Sequence, residues 1–476
     1  MRNSKRQMSL HDTYNDVRTA IEEGKPELIV LLEKHINFRE LIPAEFYWAF
    51  YRRNGRPREY SLEGFIKLFV LQRIIGIEKD STTITVLKMC RELREFCGFD
   101  DICDVPDASK ITRFKQDFVF YIQKVFENLV EITEPICREI DSKKADYLIY
   151  DPTGIKAYVA ENNPKFMNAK LTQAKNLSKQ TPGLKPHILV YSLLPDTSAA
   201  NPFVKQQYIN GHYCYAHKAG ILTNGLGIIR GISFFDDDFR RRHPEIVVQK
   251  SDNPELDKEI GDSVSLKPVL TDFFMAHPTF SYKTFIGDSA FDKIDNYTML
   301  RDDFRFGRVA IPLNPRNSQN AHTDYDSNGT PICPIDKTPF TFLGKSGGKN
   351  RSLRFKWVCH KSEPIGRNRI CTCDNPCTES SYGRCTYTYP DKNFRLYPGI
   401  PRGTEHWDNL YRHRVQIERT INIVKDPLGA ASRKSFSQRT AKADLLLAGI
   451  TQLVGVVLAD AINKRELYKS IRKLVA

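Results

Sequence analysis

The chain has 476 residues and carries 71 Lys and Arg against 57 Asp and Glu, a formal net charge of +14. This positive charge favours a polyanionic partner, with nucleic acid as the first expectation. An odd number of cysteines in a long chain argues against a secreted disulfide scaffold. The N-terminal residues lack the apolar core of a signal peptide, and the longest apolar stretch, 445–459, is too short to span a bilayer, so a cytoplasmic protein without a membrane partner is predicted.

Residues 1–145 are predicted to form a helical N-terminal domain. Apolar residues recur at helical spacing within 61–98. Asp107 precedes a further periodic segment and is its expected N-cap, whereas Pro135 is expected to break that helix near its end.

Residues 146–312 mix strand and helix patterns, and two of the predicted strands end in an acid. The apolar run 147–150 leads to Asp151, and the run 282–287 leads to Asp288, with Ser289 as the candidate cap of the next helix. Open α/β sheets place their ligands at the ends of strands, although an isolated acid there also serves as a plain loop cap. Between the two acids, Asn224-Gly225 is a strong hairpin signal.

A loop-rich insertion is predicted over 313–405, and it contains a cluster of cysteines. These are Cys333, Cys359, Cys371, Cys373, Cys377 and Cys385. Structural zinc can organise a segment that lacks its own core. The Cys-x-Cys-x3-Cys spacing departs from the paired Cys-x2-Cys knuckle, so zinc ligation and simple packing thiols both stay open.

Residues 406–476 are predicted to contain two helices, and the first has an unusual polar stripe. Its members are Tyr411, Arg414, Glu418 and Lys425. Their spacing places them within a narrow sector of an α-helix, beside an apolar flank. A carboxylate among cations suits a site where a metal meets a phosphate. The alternative is a solvated helix face held by pairs such as Arg414–Glu418.

These motifs together resemble bacterial insertion-sequence transposases of the DDE type that carry a Tyr-Arg-Glu-Lys signature. The resemblance rests on Asp151-Pro152-Thr153-Gly154, Gly287-Asp288-Ser289-Ala290-Phe291 and the Tyr-x2-Arg-x3-Glu-x6-Lys run. Upstream, Gly55-Arg56-Pro57 and the segment 106–114 resemble the helical domain that precedes the catalytic domain in many such enzymes. Pro152 departs from the small residue that often follows the first acid in the family.

The resemblance implies an α+β fold in which the N-terminal helical domain precedes an RNase H-like core. The core would comprise 146–312 and 406–476, with the cysteine-containing insertion between them. It also implies a DNA transposase that cleaves strands at transposon ends and transfers the 3′-hydroxyl into target DNA. Asp151, Asp288 and Glu418 would bind Mg²⁺ or Mn²⁺, while the other three members of the signature would bind DNA phosphates.

The expected partner is double-stranded DNA, both the terminal inverted repeats and the target, with a homodimer in the complex. Three alternatives stay open. The first is a catalytically inactive DNA-binding protein derived from a transposase, and the second is a zinc-dependent interaction protein. The third is a metal-dependent nuclease that cuts without joining.

Overall fold

The computed structural model describes residues 24–52, 57–180, 186–202, 204–209, 212–246, 260–315, 324–348, 351–431 and 437–475. Gly55 and Arg56 of the Gly-Arg-Pro motif lie outside the described residues. The chain forms two compact units, one from Met1–Ile140 with Asn422–Ala476 and the other from Asp141–Ile421.

The α-helices are distributed along the whole described chain. They are α1 Glu27–His35, α2 Phe38–Leu41, α3 Ala44–Phe50, α4 Leu62–Ile75, α5 Asp80–Met89, α6 Arg91–Phe96, α7 Ala108–Asp117, α8 Val119–Ala145, α9 Pro164–Gln180, α10 Pro186–Leu193, α11 Asp237–Arg242, α12 Asp262–Ala276, α13 Ile294–Asp302, α14 Glu405–Tyr411, α15 Val415–Lys425 and α16 Gln438–Ala461. Two short 3₁₀ segments matter for the site, Ser289–Phe291 and Arg412–Arg414.

The β-strands lie in the second unit. They are β1 Tyr147–Lys156, β2 Lys205–Ile209, β3 His212–Asn224, β4 Ile229–Phe234, β5 Thr284–Ile286, β6 Arg308–Ala310, β7 Thr341–Gly348, β8 Arg351–Val358, β9 Ser362–Ile365, β10 Asn368–Cys371 and β11 Cys385–Thr388.

The first unit is helical, as the periodicity predicts for its N-terminal part, and it also includes the last helix of the chain. Arg73 of α4 donates to Asp444 of α16 at 2.9 Å, and Lys115 of α7 lies 3.0 Å from the same carboxylate. All three side chains are almost fully buried. The predicted domain boundaries group α16 with the catalytic core, whereas its buried polar contacts tie it to the N-terminal helices.

Helix α16 is long and apolar enough to cross a membrane by length and composition, but 89% of its apolar window is buried inside the structure. A core helix has this combination of properties, because its apolar surface is covered on all sides by protein.

The helix that follows Asp107 begins where the sequence predicts but does not break at Pro135. The Asp107 carboxylate accepts from Lys110 N at 2.9 Å, as an N-cap does. The break falls instead at Phe118, and α8 continues through Pro135, with non-helical backbone at Asp141. A proline costs a helix interior about 3 kcal/mol, whereas each large apolar side chain that α8 buries contributes about 1.5–3 kcal/mol, so packing outweighs the break.

The second unit contains a mixed sheet with the order β2-β3-β1-β5-β6, and β4 also pairs with β3. Strand β3 is antiparallel to β1, β2 and β4, whereas β1, β5 and β6 run parallel. The Asn224-Gly225 turn joins β3 to β4, which confirms the predicted hairpin. Apolar side chains of β1, β5 and β6 pack with α12 and α13 in one core.

The insertion has more regular structure than the expected loop-rich segment. Strands β7, β8 and β11 form a three-stranded sheet, and β9 pairs with β10. Phe355 and Trp357 of β8 are buried in a small core of their own. Alternation along β8 sends these rings to one face and their neighbours to the other.

Candidate active site

The register of the central strands places Asp151 and Asp288 side by side. Ile149 of β1 is paired in parallel with Ile286 of β5, and each acid follows two residues later. Residues two apart in a strand share a face, and adjacent strands lie roughly 4.8 Å apart. Asp151 therefore lies within β1, and Asp288 lies two residues beyond the end of the neighbouring strand β5, at the matching distance from the paired residues.

The backbone around both acids differs from the prediction. Strand β1 does not end at Asp151, because its pairing with β3 continues as far as Lys156. Asp288 itself, rather than Ser289, is the N-cap of the following 3₁₀ segment, and Ser289 Oγ donates to its carboxylate at 3.0 Å. A Cβ on Gly287 would lie 2.9 Å from the ring of Phe285, so the approach to Asp288 requires glycine.

The signature run is a helix, a 3₁₀ segment and a second helix, not one continuous α-helix. Tyr411 is the last residue of α14, and its ring stacks on Trp407 at 4.8 Å between centroids. Arg414 lies in the 3₁₀ segment, and Glu418 lies in the first turn of α15. The torsions of Arg412, φ −53° and ψ −25°, are typical of 3₁₀ geometry. The four residues of the polar stripe therefore do not keep the angular spacing that a continuous α-helix would give them.

Arg414 connects Glu418 of α15 with Asp288, the acid that follows β5. Its guanidinium donates to Glu418 and lies 3.4 Å from the Asp288 carboxylate. The Arg414–Glu418 pair expected from helical spacing is therefore present. The same guanidinium also serves an acid 126 positions away, which a plain surface pair does not do.

The pKa shifts show that the third acid belongs to this group. The pKa of Asp151 is raised to about 7, mainly by burial; the charge of Arg414 opposes this rise, while the charges of Asp288 and Glu418 contribute to it. Burial would lower the pKa of Arg414, but the charges of Asp151 and its other neighbours raise it on balance. Burial also raises the pKa of Tyr411, which interacts with the same four charges. One guanidinium thus faces three carboxylates, a formal excess of two negative charges.

Contacts with β1 and the β3–β4 hairpin hold the signature segment in place. Thr420 Oγ1 donates to Gly227 O at 2.7 Å. The ring of His413 meets Tyr147 edge-on at 5.3 Å, and burial lowers the pKa of this histidine. These contacts explain how a helix distant in sequence brings Glu418 to the two strand acids.

The packed flank of the helix is as predicted. Leu410, Ile417, Ile421 and Val424 are all buried. Lys425 is the last residue of α15, about two turns beyond Glu418, and it belongs to the first unit, whereas Glu418 belongs to the second.

A further acid near the site carries no sequence signal. The charge of Asp262, the first residue of α12, raises the pKa of Asp151. Its carboxylate accepts from Lys218 Nζ at 2.7 Å, and that lysine is buried. Because Asp262 is simply the first residue of α12 and its partner lies 44 positions away, the local sequence pattern does not reveal it.

Two other acids of the second unit have structural roles. Asp292 is fully buried and makes a bidentate pair with Arg395, at 2.9 and 2.7 Å. Asp236 caps α11 by accepting from Phe239 N at 2.9 Å. His217 is also buried, and burial lowers its pKa to about 4.

The clustered cysteines separate into a group and an outlier. Cys333 and Cys359 are buried with Trp357, and Cys373 and Cys377 pack against them. Burial raises the pKa of Cys373 to about 12, with hydrogen bonds to Cys371 and Cys359. Cys385 lies apart from this group, in β11 opposite Val358. Packing thiols describe this arrangement, and its thiolate-capable sulfurs are also the ligands that zinc prefers.

In the part of the chain that the structure describes, no three His, Cys, Asp or Glu side chains are arranged to hold a metal ion. At the acid site, Arg414 lies between Asp288 and Glu418, where a shared cation would stand. The donor set itself is all carboxylate with excess negative charge, which fits Mg²⁺ or Mn²⁺.

Comparison with known proteins identifies one region by family. Residues 17–117 match the family described as "Transposase domain (DUF772)". The prediction of a transposase-type N-terminal region is confirmed by this match, which covers helices of the first unit. The chain matches no curated protein by sequence.

Among solved structures, the chain is similar to a piggyBac transposase, in a synaptic complex with hairpin DNA determined by cryo-EM. The TM-score is 0.38 at 11% sequence identity, over 94% of this chain and 77% of that chain. These values are too low to assign a fold or an activity to this chain.

Proposed function

We propose that the protein is a DDE-type DNA transposase that cleaves DNA at the ends of its element and joins the freed 3′-hydroxyl to target DNA. The observation that carries the proposal is the convergence of Asp151, Asp288 and Glu418 on Arg414, from two adjacent strands and a distant helix. The transposase domain at 17–117 supports the same class.

The sheet supports the RNase H-like core that the resemblance implies. Strands β4, β3 and β1 are antiparallel neighbours, and β5 and β6 extend the sheet in parallel beside β1. In this order, a hairpin is followed by crossover connections, and the first and fourth strands of the core bring their acids to one edge. We adopt this assignment as part of the proposal.

Asp151, Asp288 and Glu418 would hold divalent metal ions in the active enzyme. Such ions neutralise the charge that develops on the attacking and leaving oxygens of a phosphodiester. Three carboxylates suffice because Mg²⁺ retains water and accepts phosphate oxygens as further ligands. The excess negative charge of the group and the raised pKa of Asp151 are the cost of assembling such a site without its cation.

Arg414 and Tyr411 would bind the DNA strand. In the present structure, the guanidinium compensates two carboxylates. The planar guanidinium of an arginine can donate two parallel hydrogen bonds to a phosphate as well as to a carboxylate. Arg414 can therefore exchange a carboxylate for a phosphate. The Tyr411 hydroxyl, whose pKa is raised by burial, stays protonated and can donate to a phosphate oxygen.

The direct test is a cleavage and joining assay with the wild-type protein. The substrate is a labelled duplex that carries the inverted repeats found beside the gene, in Mg²⁺, with a supercoiled plasmid as target. We expect a nick at the repeat boundary, followed by joined product. Asp288→Asn is the matched inactive control, and cleavage at the wild-type rate by this variant would refute the proposed role of the acids.

The same assay separates the alternatives. A transposase-derived binding protein would shift the repeat duplex without cutting it, and a simple nuclease would cut without joining. Zinc in the cysteine group stays a separate proposal. Metal analysis of the purified protein decides between zinc and packing thiols: one zinc per chain that is lost in Cys359→Ser would support zinc, and its absence from the wild-type protein would assign the cysteines to packing. A homodimer on DNA and a cytoplasmic location also stay predictions.

A further inference from the structure

The insertion's three-stranded sheet has two unlike faces. Its inner face packs Phe355 and Trp357 of β8 into the small core. The outer face carries Arg354 and Lys356, which alternate with those rings. Strand pairing places Tyr387 of β11 opposite Lys356, on the same outer face.

Charge on this sheet has one sign. Strands β7, β8 and β11 contain four Lys or Arg residues and no Asp or Glu. Among the described residues, Arg354 and Lys356 form no ion pair, whereas exposed cations elsewhere in the unit, such as Arg241 with Asp238, do. Two neighbouring cations without a carboxylate repel each other, so a protein gains nothing in stability by placing them together.

Neutral groups hold both cations in place. Arg354 Nε donates to Ser346 Oγ of β7 at 3.0 Å, and its guanidinium carbon lies 4.3 Å from the Tyr387 ring centroid. Lys356 Nζ donates to the Tyr382 hydroxyl at 3.1 Å. These interactions fix the side chains without neutralising them. A fixed cation loses less conformational entropy when it binds an anion than a freely rotating one does.

The geometry points to this outer face, defined by Ser346, Arg354, Lys356, Tyr382 and Tyr387, as a binding surface for the DNA phosphate backbone. Charge complementarity selects the partner, because two positioned cations on one face of a sheet, with no carboxylate beside them, suit a polyanion with regularly spaced phosphates. The inference rests on the proposed function for the identity of the polyanion, and it assigns to the insertion a DNA-binding role separate from the catalytic acids.

A salt titration of DNA binding tests the assignment in the full-length protein. The probe is a fluorescein-labelled duplex of unrelated sequence, followed by anisotropy. The test variant is Arg354→Ala/Lys356→Ala. The control is Arg241→Ala/Lys267→Ala, which removes the same charge from two exposed cations of the same unit that already have acidic partners.

We expect the slope of log affinity against log salt to become shallower by about 0.9 for each phosphate that is no longer neutralised, and thus by roughly 2 in the test variant. The control should keep the wild-type slope. The charge-preserving variant Arg354→Lys/Lys356→Arg should retain most of the slope, which distinguishes removal of the cations from damage to the sheet. Equal slopes for test and control variants would overturn the assignment.

Failure of this inference is distinguishable from failure of the proposed function. If the test variant has the control's slope while the wild-type protein cuts and joins DNA, the surface is refuted and the transposase stands. If the wild-type protein does not cut DNA but the test variant alone has a reduced slope, the surface stands and the catalytic proposal is refuted.

Discussion

The second unit contains two arginine–aspartate pairs, Asp292–Arg395 and Asp288–Arg414, whose aspartates are four residues apart. The two pairs differ in burial, in hydrogen bonding and in charge balance. Asp292 is fully buried, and Arg395 donates two hydrogen bonds to its carboxylate. The Asp288 side chain is 42% exposed, and Arg414 approaches it with one long interaction while it also serves Glu418. The first pair, Asp292–Arg395, is fully enclosed, and we call it the closed pair. The second pair, Asp288–Arg414, is partly exposed and belongs to a group with excess negative charge, and we call it the open pair.

This difference distinguishes an ion pair that stabilises the fold from one that can bind a ligand. Asp292 also accepts from Asn314 N at 2.7 Å, and Arg402, which donates to the adjacent Tyr297, is buried in the same network. Such a buried network has no capacity for a ligand. At the open pair, three acids share one guanidinium, so a metal ion can enter and improve the charge balance.

The largest expected effect is on activity at the open pair. Replacing Asp151 or Asp288 with Asn, or Glu418 with Gln, should abolish detectable strand cleavage. The free energy of unfolding should change by less than about 1 kcal/mol, because each change removes repulsion as well as attraction among exposed or part-buried charges. Cleavage gels and urea unfolding of the same preparations measure both. Near-normal cleavage by any one variant would remove that acid from the ligand set.

At the closed pair, Asp292–Arg395, we expect a large effect on stability. Arg395→Met leaves Asp292 buried without its cation, which should lower the free energy of unfolding by about 3–5 kcal/mol. The double variant Asp292→Asn/Arg395→Met should recover part of this stability, since no buried charge remains. Chemical unfolding measures both. A decrease under about 1 kcal/mol for Arg395→Met would mean that the two pairs do not differ in the way described.

Much of the open site could be predicted from the sequence because its signals are local. Asp151 and Asp288 follow apolar runs, and Arg414 and Glu418 share helical spacing. Helical and strand periodicity report which residues share a face, and a motif resemblance then relates the separate segments. The 3₁₀ turn at Arg414 has no such signal, because its torsions stay within the helical region.

The closed pair and the domain boundaries could not be predicted in this way. Asp292 and Arg395 are separated by 103 positions, and Arg73 and Asp444 by 371. Nothing in the local pattern around either member indicates its partner. For the same reason, the sequence predicts the last helix of the chain but does not indicate that the polar partners of α16 are in the N-terminal helices.

Arg414 should affect DNA more than folding, with a smaller effect than removal of an acid. Arg414→Ala should reduce strand joining by about 10- to 150-fold, because a charge-assisted hydrogen bond to a phosphate is worth roughly 1.5–3 kcal/mol. Arg419→Ala, an exposed change on the same helix, is the control and should join strands normally. Destabilisation by Arg414→Ala with normal cleavage would assign Arg414 to the closed, structural class.

The smallest effect tests how the open pair is positioned. Thr420 Oγ1 bonds Gly227 O of the β3–β4 turn, two residues from Glu418 on α15. Thr420→Val should cost about 1 kcal/mol, and if removal of this hydrogen bond lets Glu418 drift from the strand acids, cleavage should fall by roughly fivefold. The control is Thr451→Val in α16, because the Thr451 hydroxyl bonds within its own helix, to Leu447 O at 2.8 Å. If both variants cleave equally well, anchoring by the hairpin does not position Glu418, and the other contacts of the segment, those of Arg414 and of His413 with Tyr147, do so.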